Sequence, residues 1–266
     1  MEKSANIFRF KQFGVANEHS AMKVNTDGVL LGASMTLAPT DRRLLDIGTG
    51  TGTIALMAAQ RLSALSDVPS VCPDKPDISS DSAGTGQKIC INAVDIDEAS
   101  ATEAAMNFAN SPWSDILVAR HASLEEYASS DEGREYDLIF SNPPYFEESL
   151  NAPELRRNNA RHTSTGLSYR EILDFASRRL SDEGRVSLVL PSETEAALCR
   201  HARMDGLHLF RIIRVKTVPR KEPSRIIAEF SRRRTDEVKE ETLIIQHEGK
   251  YTEMYLSLMH DFYLFA

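Results

Sequence analysis

Residues 142–145, with the sequence Asn-Pro-Pro-Tyr, combine groups that could hold a planar amine. They follow residues 137–141, a mostly apolar run that is typical of a buried strand. Asn142 offers a side-chain carbonyl, Pro143 a backbone carbonyl without an N–H group, and Tyr145 a flat ring. Two carbonyls can accept both hydrogens of the amine while the ring stacks on its parent system. The motif therefore predicts chemistry on an exocyclic or amide NH2 group, although prolines can also simply end a strand.

A second motif lies upstream, where an apolar strand at residues 44–47 runs into a glycine loop and then into an apolar, helix-forming stretch. Strand, glycine loop and helix form the nucleotide-binding opening of a doubly wound α/β sheet. The dinucleotide pattern G-x-G-x-x-G is not met, because Thr53 stands where its third glycine would fall. The glycines of the loop are Gly48, Gly50 and Gly52.

Acidic residues next to the predicted strand ends indicate the ligand. Asp46 precedes the glycine loop, where a carboxylate would repel a pyrophosphate but suit a cation. S-adenosylmethionine carries an ammonium and a sulfonium and has no phosphate, so it fits better than a nicotinamide dinucleotide. Asp95 directly follows the next predicted strand, at residues 89–94, and can accept hydrogen bonds from both ribose hydroxyls. That role serves a nicotinamide cofactor and S-adenosylmethionine equally, so Asp95 supports a nucleoside without identifying it. Asp46 could equally stabilise the loop by accepting from backbone N–H groups, and both roles can hold together.

The two motifs together resemble those of class I S-adenosylmethionine-dependent methyltransferases that modify exocyclic or amide nitrogens. Within this class the chain is similar to the bacterial tRNA1(Val) adenine-N6 methyltransferases, and the resemblance covers most of its length. It implies S-adenosylmethionine as the methyl donor and a tRNA anticodon loop as the partner, with adenine 37 of tRNA1(Val) as the modified base. Further similar stretches are residues 8–13, 22–32, 160–163 and 218–225.

The resemblance also extends the predicted site. Asn142, Pro143 and Tyr145 would be catalytic, and Asn142 would also contact the cofactor. Residues 121–123 lack the acidic side chain that many methyltransferases place near the cofactor adenine, so Ser123 would contact it through backbone atoms. Lys23 would be a further cofactor contact. The substrate-binding residues would be Pro144, Phe146, Arg161, Arg220 and Arg225.

The expected chemistry needs positioning more than acid–base groups. An adenine amine is a poor nucleophile because its lone pair is delocalised into the ring. Hydrogen bonds to Asn142 Oδ1 and to the Pro143 carbonyl would favour a tetrahedral nitrogen and stabilise the positive charge that develops there. Tyr145 would stack on the base. Water can take the proton from the acidic product, so neither a strong general base nor a metal is implied.

The elements that position these residues predict a Rossmann-like α/β fold. We expect a doubly wound, mostly parallel sheet of seven strands with one late antiparallel strand. Residues 1–43 would be a lead-in segment that covers the cofactor, and residues 44–266 the methyltransferase domain. An insertion near 64–88, rich in Ser, Pro, Asp and Gly, would be a mobile loop. Asp27 and Asp97 are predicted helix N-caps, with a contact to the cofactor or to a lid as the alternative for Asp27, and Glu103 is predicted to be a solvated helix residue.

Composition and charge limit the class of protein. The 266 residues, 41% of them hydrophobic, suit one α/β domain. We find no membrane-length apolar run and no apolar signal segment, and expect a cytoplasmic protein, with a monomer favoured. The net charge of −8 argues against a nucleic-acid partner, but residues 200–234 are rich in Arg and Lys and could bind RNA. The cysteines Cys72, Cys90 and Cys199 lack metal-binding spacing, and we expect reduced thiols.

Three alternative functions remain from the residues alone. A glutamine N5-methyltransferase acting on a release factor needs the same Asn-Pro-Pro-Tyr site, but such enzymes usually carry an N-terminal helical domain. The first 43 residues leave little room for one. A nicotinamide-dependent dehydrogenase is disfavoured by Thr53 and Asp46. An RNA-binding module without catalytic activity is disfavoured by the intact methyl-transfer motif.

Overall fold

The computed structural model describes residues 6–20, 22–65, 72–75, 88–130, 133–144 and 167–266. The strands in chain order are β1 (Ile7–Arg9), β2 (Gly14–Ala16), β3 (Arg43–Ile47), β4 (Cys90–Asp95), β5 (Leu117–His121), β6 (Tyr136–Ser141), β7 (Leu180–Pro191), β8 (His208–Lys216), β9 (Arg225–Ser231), β10 (Lys239–Ile244), β11 (Gln246–His247) and β12 (Lys250–Tyr251). The helices are α1 (Thr26–Ser34), α2 (Thr53–Leu65), α3 (Glu98–Ala109), α4 (Leu124–Ser130), α5 (Tyr169–Arg179), α6 (Glu195–Met204) and α7 (Glu253–Met259).

Within the described part of the chain, eight strands form one central sheet in the order β10-β8-β9-β7-β6-β3-β4-β5. β9 runs antiparallel to β7 and β8, and the other neighbouring pairs are parallel. The predicted doubly wound sheet with a late antiparallel strand is therefore confirmed. The predicted count of seven strands is wrong by one, because β10 pairs with β8 and extends the edge.

Helices cover both faces of the sheet, so alternate residues of each strand enter different cores. Leu44 belongs to the core under α1, α2 and α7, whereas Leu45 belongs to the core under α5 and α6. Both side chains are fully buried. Among the described residues, no helix combines the length and the apolar character that crossing a bilayer requires.

Residues 6–43 pack into the same core as the sheet. Phe10, Phe13 and Val15 from this segment are buried in the cluster that contains α1 and α2. Asn25 caps α1 by accepting from the Gly28 N–H group. The prediction that Asp27 caps this helix is therefore wrong, because Asp27 lies in the first turn, beyond the cap.

The neighbouring helix α3 holds the lead-in segment through a carboxylate. Glu103, predicted to be solvated, is buried, and it accepts from the N–H groups of Glu18 (2.8 Å), His19 (3.0 Å) and Ser20 (2.9 Å). Burial raises the pKa of Glu103, but these N–H groups outweigh it and the net shift is downward. Asp97 caps α3 as predicted.

Segment 72–75 is fastened to β4. Cys72 forms a disulfide with Cys90, so the expectation of reduced thiols is wrong for this pair, whereas Cys199 remains a thiol. The neighbouring Asp74 accepts from Asn92 and forms an ion pair with Arg134. The sulfur atoms of Cys72 and Cys90 and a carboxylate oxygen of Asp74 lie within 4.8 Å of one another, a spacing that could suit a metal ion. The two sulfurs are joined in the disulfide and the carboxylate pairs with Arg134, so no thiolate is available to bind a metal here.

Candidate active site

The two predicted motifs meet at the carboxyl edge of the sheet, where the strand order reverses between β3 and β6. These strands are neighbours, and Asp46 lies opposite Phe140, so the glycine loop begins beside Asn142. Ser141 Oγ donates to the Ile47 carbonyl at 2.6 Å and joins the two strand ends. Ligands of doubly wound sheets bind at such a switch point.

The glycine loop depends on backbone conformations that favour glycine. Gly48, Gly50 and Gly52 have φ values of +71°, +56° and +79°. A Cβ atom on Gly52 would lie 2.5 Å from the Phe108 ring, and one on Gly50 would lie 3.2 Å from the Met22 carbonyl. The loop is therefore shaped by close protein packing, and contact of these glycines with a cofactor stays a prediction.

Asp46 is fully buried beneath the loop. Thr49 Oγ1 donates to its Oδ2 at 2.7 Å, whereas its Oδ1 has no hydrogen-bond partner among the described residues. Burial raises the pKa of Asp46 to about 7, with a further increase from Asp95 and against smaller lowering contributions from Thr49 and the Ala55 N–H group. The loop-stabilising role is present, and the unpartnered oxygen could also receive a cation.

Asp95 stands at the end of β4 and faces the same loop. Its Oδ2 accepts from the Gly50 N–H group at 2.8 Å, and its Oδ1 accepts from the Asp97 N–H group at 2.9 Å. Burial raises the pKa of this half-buried carboxyl group. Each oxygen has two lone pairs, so these bonds leave acceptor capacity for ribose hydroxyls.

A cavity of about 920 Å³ lies beyond the ends of β4 and β5 and is lined by Ile96, His121 and Ser123. Ile96 is 65% exposed although it is large and apolar. Sequence reasoning missed this residue; its position directly after Asp95, at a strand end, was the available signal. The N–H and Oγ groups of Ser123 donate to Glu126 at the start of α4. The contact of Ser123 with the cofactor stays a prediction.

Asn142 is buried at the centre of the site, 5% exposed. Its Nδ2 donates to Asn25 Oδ1 at 3.4 Å and contacts Met22 Sδ at 3.6 Å. Pro143 is buried and Pro144 is half-buried beside it. Asn25 and Met22 were not among the predicted site residues. The predicted residues Tyr145, Phe146 and Arg161 lie outside the described residues.

The other predicted contacts lie around this centre. Lys23 is exposed next to Met22. Arg220 is exposed between β8 and β9, on the carboxyl edge of the sheet, because β8 runs parallel to β7. Arg225 donates to Asp27 at 2.7 Å and so connects β9 to α1. Arg220 therefore faces solvent, whereas Arg225 forms an ion pair inside the protein.

Several basic residues of the stretch 200–234 form ion pairs with described residues, namely Arg211, Arg214, Arg225 and Arg233. Arg211 binds the fully buried Glu229 at 2.7 Å, and Arg214 binds Glu195 at 2.6 Å. The local count of charges could not reveal these pairs, since most of the partners come from elsewhere in the chain. The partners outside the stretch include Glu183, Glu195, Glu240 and Glu241, and Asp27.

A doubly wound sheet with a glycine loop after its first strand and Asn-Pro-Pro at the switch point defines a Rossmann-like methyltransferase. The sequence model of the family described as RMKL-like, methyltransferase domain, matches residues 33–217, more than half of the chain. A tRNA1(Val) (adenine(37)-N6)-methyltransferase of Parabacteroides distasonis is 40% identical over 260 residues, 97% of each chain. One from Flavobacterium psychrophilum is 37% identical over 97% of this chain and 99% of its own length. The chain belongs to the tRNA1(Val) (adenine(37)-N6)-methyltransferase family, which confirms the predicted resemblance.

Solved structures agree on the fold. A predicted O-methyltransferase from Agrobacterium tumefaciens superposes with a TM-score of 0.59 at 15% identity, covering 89% of this chain and 96% of that one. The 16S rRNA N2 G1207 methyltransferase of T. thermophilus, solved with AdoMet and guanosine, gives a TM-score of 0.52 at 17% identity. That match covers 87% of this chain and 52% of the other.

Proposed function

We propose that this protein transfers the methyl group of S-adenosylmethionine to the exocyclic N6 amine of adenine in tRNA, at adenine 37 of tRNA1(Val). The observation that carries the proposal is the meeting of Asn142 with the glycine loop at the switch point of the sheet. Two relatives that match over nearly the whole chain bear the name of this activity. A tRNA substrate would make the protein cytoplasmic.

The cofactor would bind across the ends of β3 and β4. S-adenosylmethionine supplies an electrophilic methyl group on a sulfonium when it is bound. Asp46, whose Oδ1 has no partner among the described residues, would bind the ammonium end. The cation would lower the raised pKa of this carboxyl group and so favour its ionised form. Asp95 would accept from the ribose hydroxyls, and the exposed Ile96 would pack against the cofactor adenine. These two carboxyl groups and the apolar side chain therefore fit a cationic nucleoside better than a pyrophosphate.

Residues 1–43 would cover the cofactor, and residues 44–266 would form the methyltransferase domain. The covering role is supported by the close packing of this segment on Gly50. A Cβ atom on Gly50 would lie 3.2 Å from the Met22 carbonyl and 3.5 Å from Ser20 Oγ, so this part of the segment lies directly against the loop. Glu103 fastens the same stretch to α3. Of the insertion near 64–88, residues 66–71 and 76–87 lie outside the described residues.

The substrate amine would be held by two acceptors at the end of β6. Asn142 Oδ1 and the Pro143 carbonyl would each accept one hydrogen, which aims the nitrogen lone pair at the methyl group. The same acceptors would stabilise the positive charge that develops on nitrogen. Both residues are buried, so water competes little with these bonds.

The RNA would approach along the carboxyl edge of the sheet. An anticodon loop is single-stranded, so presenting its base costs less than extruding one from a duplex. Tyr145 and Phe146 would stack on the base, with Pro144 beside them. Arg161 and the exposed Arg220 would contact phosphates, whereas Arg225 is paired with Asp27.

Transfer of labelled methyl groups to total tRNA or to a release factor tests this function. We expect label in tRNA, recovered after digestion as N6-methyladenosine. Label in a protein glutamine would instead support the glutamine methyltransferase alternative, and label in neither would contradict the proposal. Position 37 is tested by sequencing the modified tRNA1(Val).

A further inference from the structure

We infer that Asn25 is a positioning residue for methyl transfer, because it sets the direction in which the Asn142 amide presents its oxygen. This inference rests on the proposed function. A primary amide has an oxygen arm and an NH2 arm of nearly equal shape, and only the oxygen arm can accept from a substrate amine. The site therefore needs a group that distinguishes the two arms of Asn142.

The orientation of the Asn25 amide is fixed by backbone groups whose polarity cannot change. Its Oδ1 accepts from the Gly28 N–H group at 2.9 Å, and its Nδ2 donates to the Lys23 carbonyl at 3.0 Å. A backbone N–H group only donates and a carbonyl only accepts. Turning the Asn25 amide over would break both bonds, so its Oδ1 is an acceptor without ambiguity.

This fixed acceptor then determines the orientation of Asn142. The arm of Asn142 that faces Asn25 Oδ1, at 3.4 Å, has to be the NH2 group, because two acceptors would repel each other. Met22 Sδ, a weak acceptor at 3.6 Å, favours the same orientation. Oδ1 of Asn142 is consequently the arm that points away from Asn25, as the amine clamp requires.

The positioning group is itself held rigidly. Asn25 is the N-cap of α1, whose residues from Gly28 to Ser34 are buried. Asp27, in the first turn of this helix, is tied to β9 by Arg225 at 2.7 Å. A side chain fixed at both its own amide and its helix can hold the Asn142 amide within the narrow range that catalysis needs.

Three substitutions of Asn25 separate positioning from helix capping. Asn25→Ser keeps a good N-cap but places its oxygen one bond closer to the backbone, out of reach of Asn142. We expect kcat on tRNA to fall about 10- to 100-fold with thermal stability and S-adenosylmethionine affinity retained. Asn25→Asp keeps an acceptor toward Asn142 and toward the Gly28 N–H group, but it replaces the bond to the Lys23 carbonyl with a contact between two acceptors. It should therefore retain more of kcat than Asn25→Ser while losing some stability. Asn25→Ala should lose both kcat and stability.

Thr252→Ala is the matched control, since Thr252 caps α7 and does not contact Asn142. It should lower stability and leave kcat unchanged. The NH2 resonances of Asn142, identified by their loss in Asn142→Ala, should shift in Asn25→Ser and stay near their wild-type positions in Asn25→Asp. Wild-type kcat and unshifted resonances in Asn25→Ser would overturn the inference. An inactive wild-type enzyme would instead refute the proposed function, and the resonances would still decide whether Asn25 orients Asn142.

Discussion

At the residue scale, buried polar groups of defined orientation make the site, and their burial is what the sequence could not convey. The acidic residues at the strand ends and the Asn-Pro-Pro motif were recognisable from residue type and spacing. Burial of Asp46, the unpartnered state of its Oδ1 among the described residues, and the contact from Asn25 to Asn142 depend on packing between distant segments. Such contacts leave no local pattern, so Asn25 was missed.

The raised pKa of Asp46 gives a prediction for stability. Between the ordinary value of 3.8 and about 7, the folded protein binds more protons at this site than the unfolded chain does. The contribution of Asp46 to the free energy of unfolding should therefore fall as the pH rises through this window. Denaturant unfolding of wild type and Asp46→Asn at several pH values measures it. The difference between the two proteins should change across the window; a constant difference would contradict the prediction.

At the element scale, the strands that carry the predicted site residues were predictable, because β3, β4 and β6 follow apolar runs in the sequence. The pairing of β10 with β8 at the sheet edge was not predictable, and neither were the contacts of Glu103 with N–H groups 83 to 85 positions away, because both depend on segments remote in sequence. A charged residue within a helix is normally solvated, so no sequence signal indicated that Glu103 is buried.

Glu103→Ala should lower the free energy of unfolding by about 3 kcal/mol, because it leaves three backbone N–H groups without their charged acceptor. Glu103→Gln keeps the shape and one acceptor oxygen, so its effect should be smaller. Denaturant unfolding measures both variants, and limited proteolysis shows whether the lead-in segment is released. Equal stability of Glu103→Ala and wild type would show that this anchor contributes nothing.

The disulfide gives a second prediction at this scale. Cys72 and Cys90 are separated by 18 residues, and closing a loop of this size stabilises a protein by about 3 kcal/mol. Because Cys72 and Cys90 are paired and Cys199 is a thiol, denatured, unreduced protein should expose one thiol, and reduced protein should expose three. Thiol titration counts them, and Cys199→Ser should remove the single thiol. Three thiols before reduction would refute the disulfide.

At the scale of the whole molecule, the net charge of −8 and a partner with a phosphate backbone are compatible only if basic groups face the RNA locally. The fold class was predictable because strand, glycine loop and helix recur in a fixed order. The distribution of charge was not predictable, since ion pairs such as Arg211 with Glu229 form between neighbouring strands and remove apparent basic residues from the surface.

Two arginines should therefore respond differently to substitution by alanine. Arg220→Ala, at an exposed position, should raise KM for tRNA and weaken its salt dependence without changing stability. Arg211→Ala leaves Glu229 buried without its cation and should cost about 3–5 kcal/mol of stability. Steady-state kinetics at two salt concentrations and thermal unfolding distinguish the effects. A stability loss in Arg220→Ala, or none in Arg211→Ala, would reverse these assignments.

The amine clamp formed by Asn142 is the central claim, and one comparison tests it most directly. Wild type and Asn142→Ala are incubated with S-adenosylmethionine and unmodified tRNA1(Val), and N6-methyladenosine is measured in the digested RNA, with cofactor affinity measured in parallel. We predict N6-methyladenosine with wild type, none with Asn142→Ala, and nearly equal cofactor affinity for both proteins. Turnover by Asn142→Ala at the wild-type rate would contradict the account.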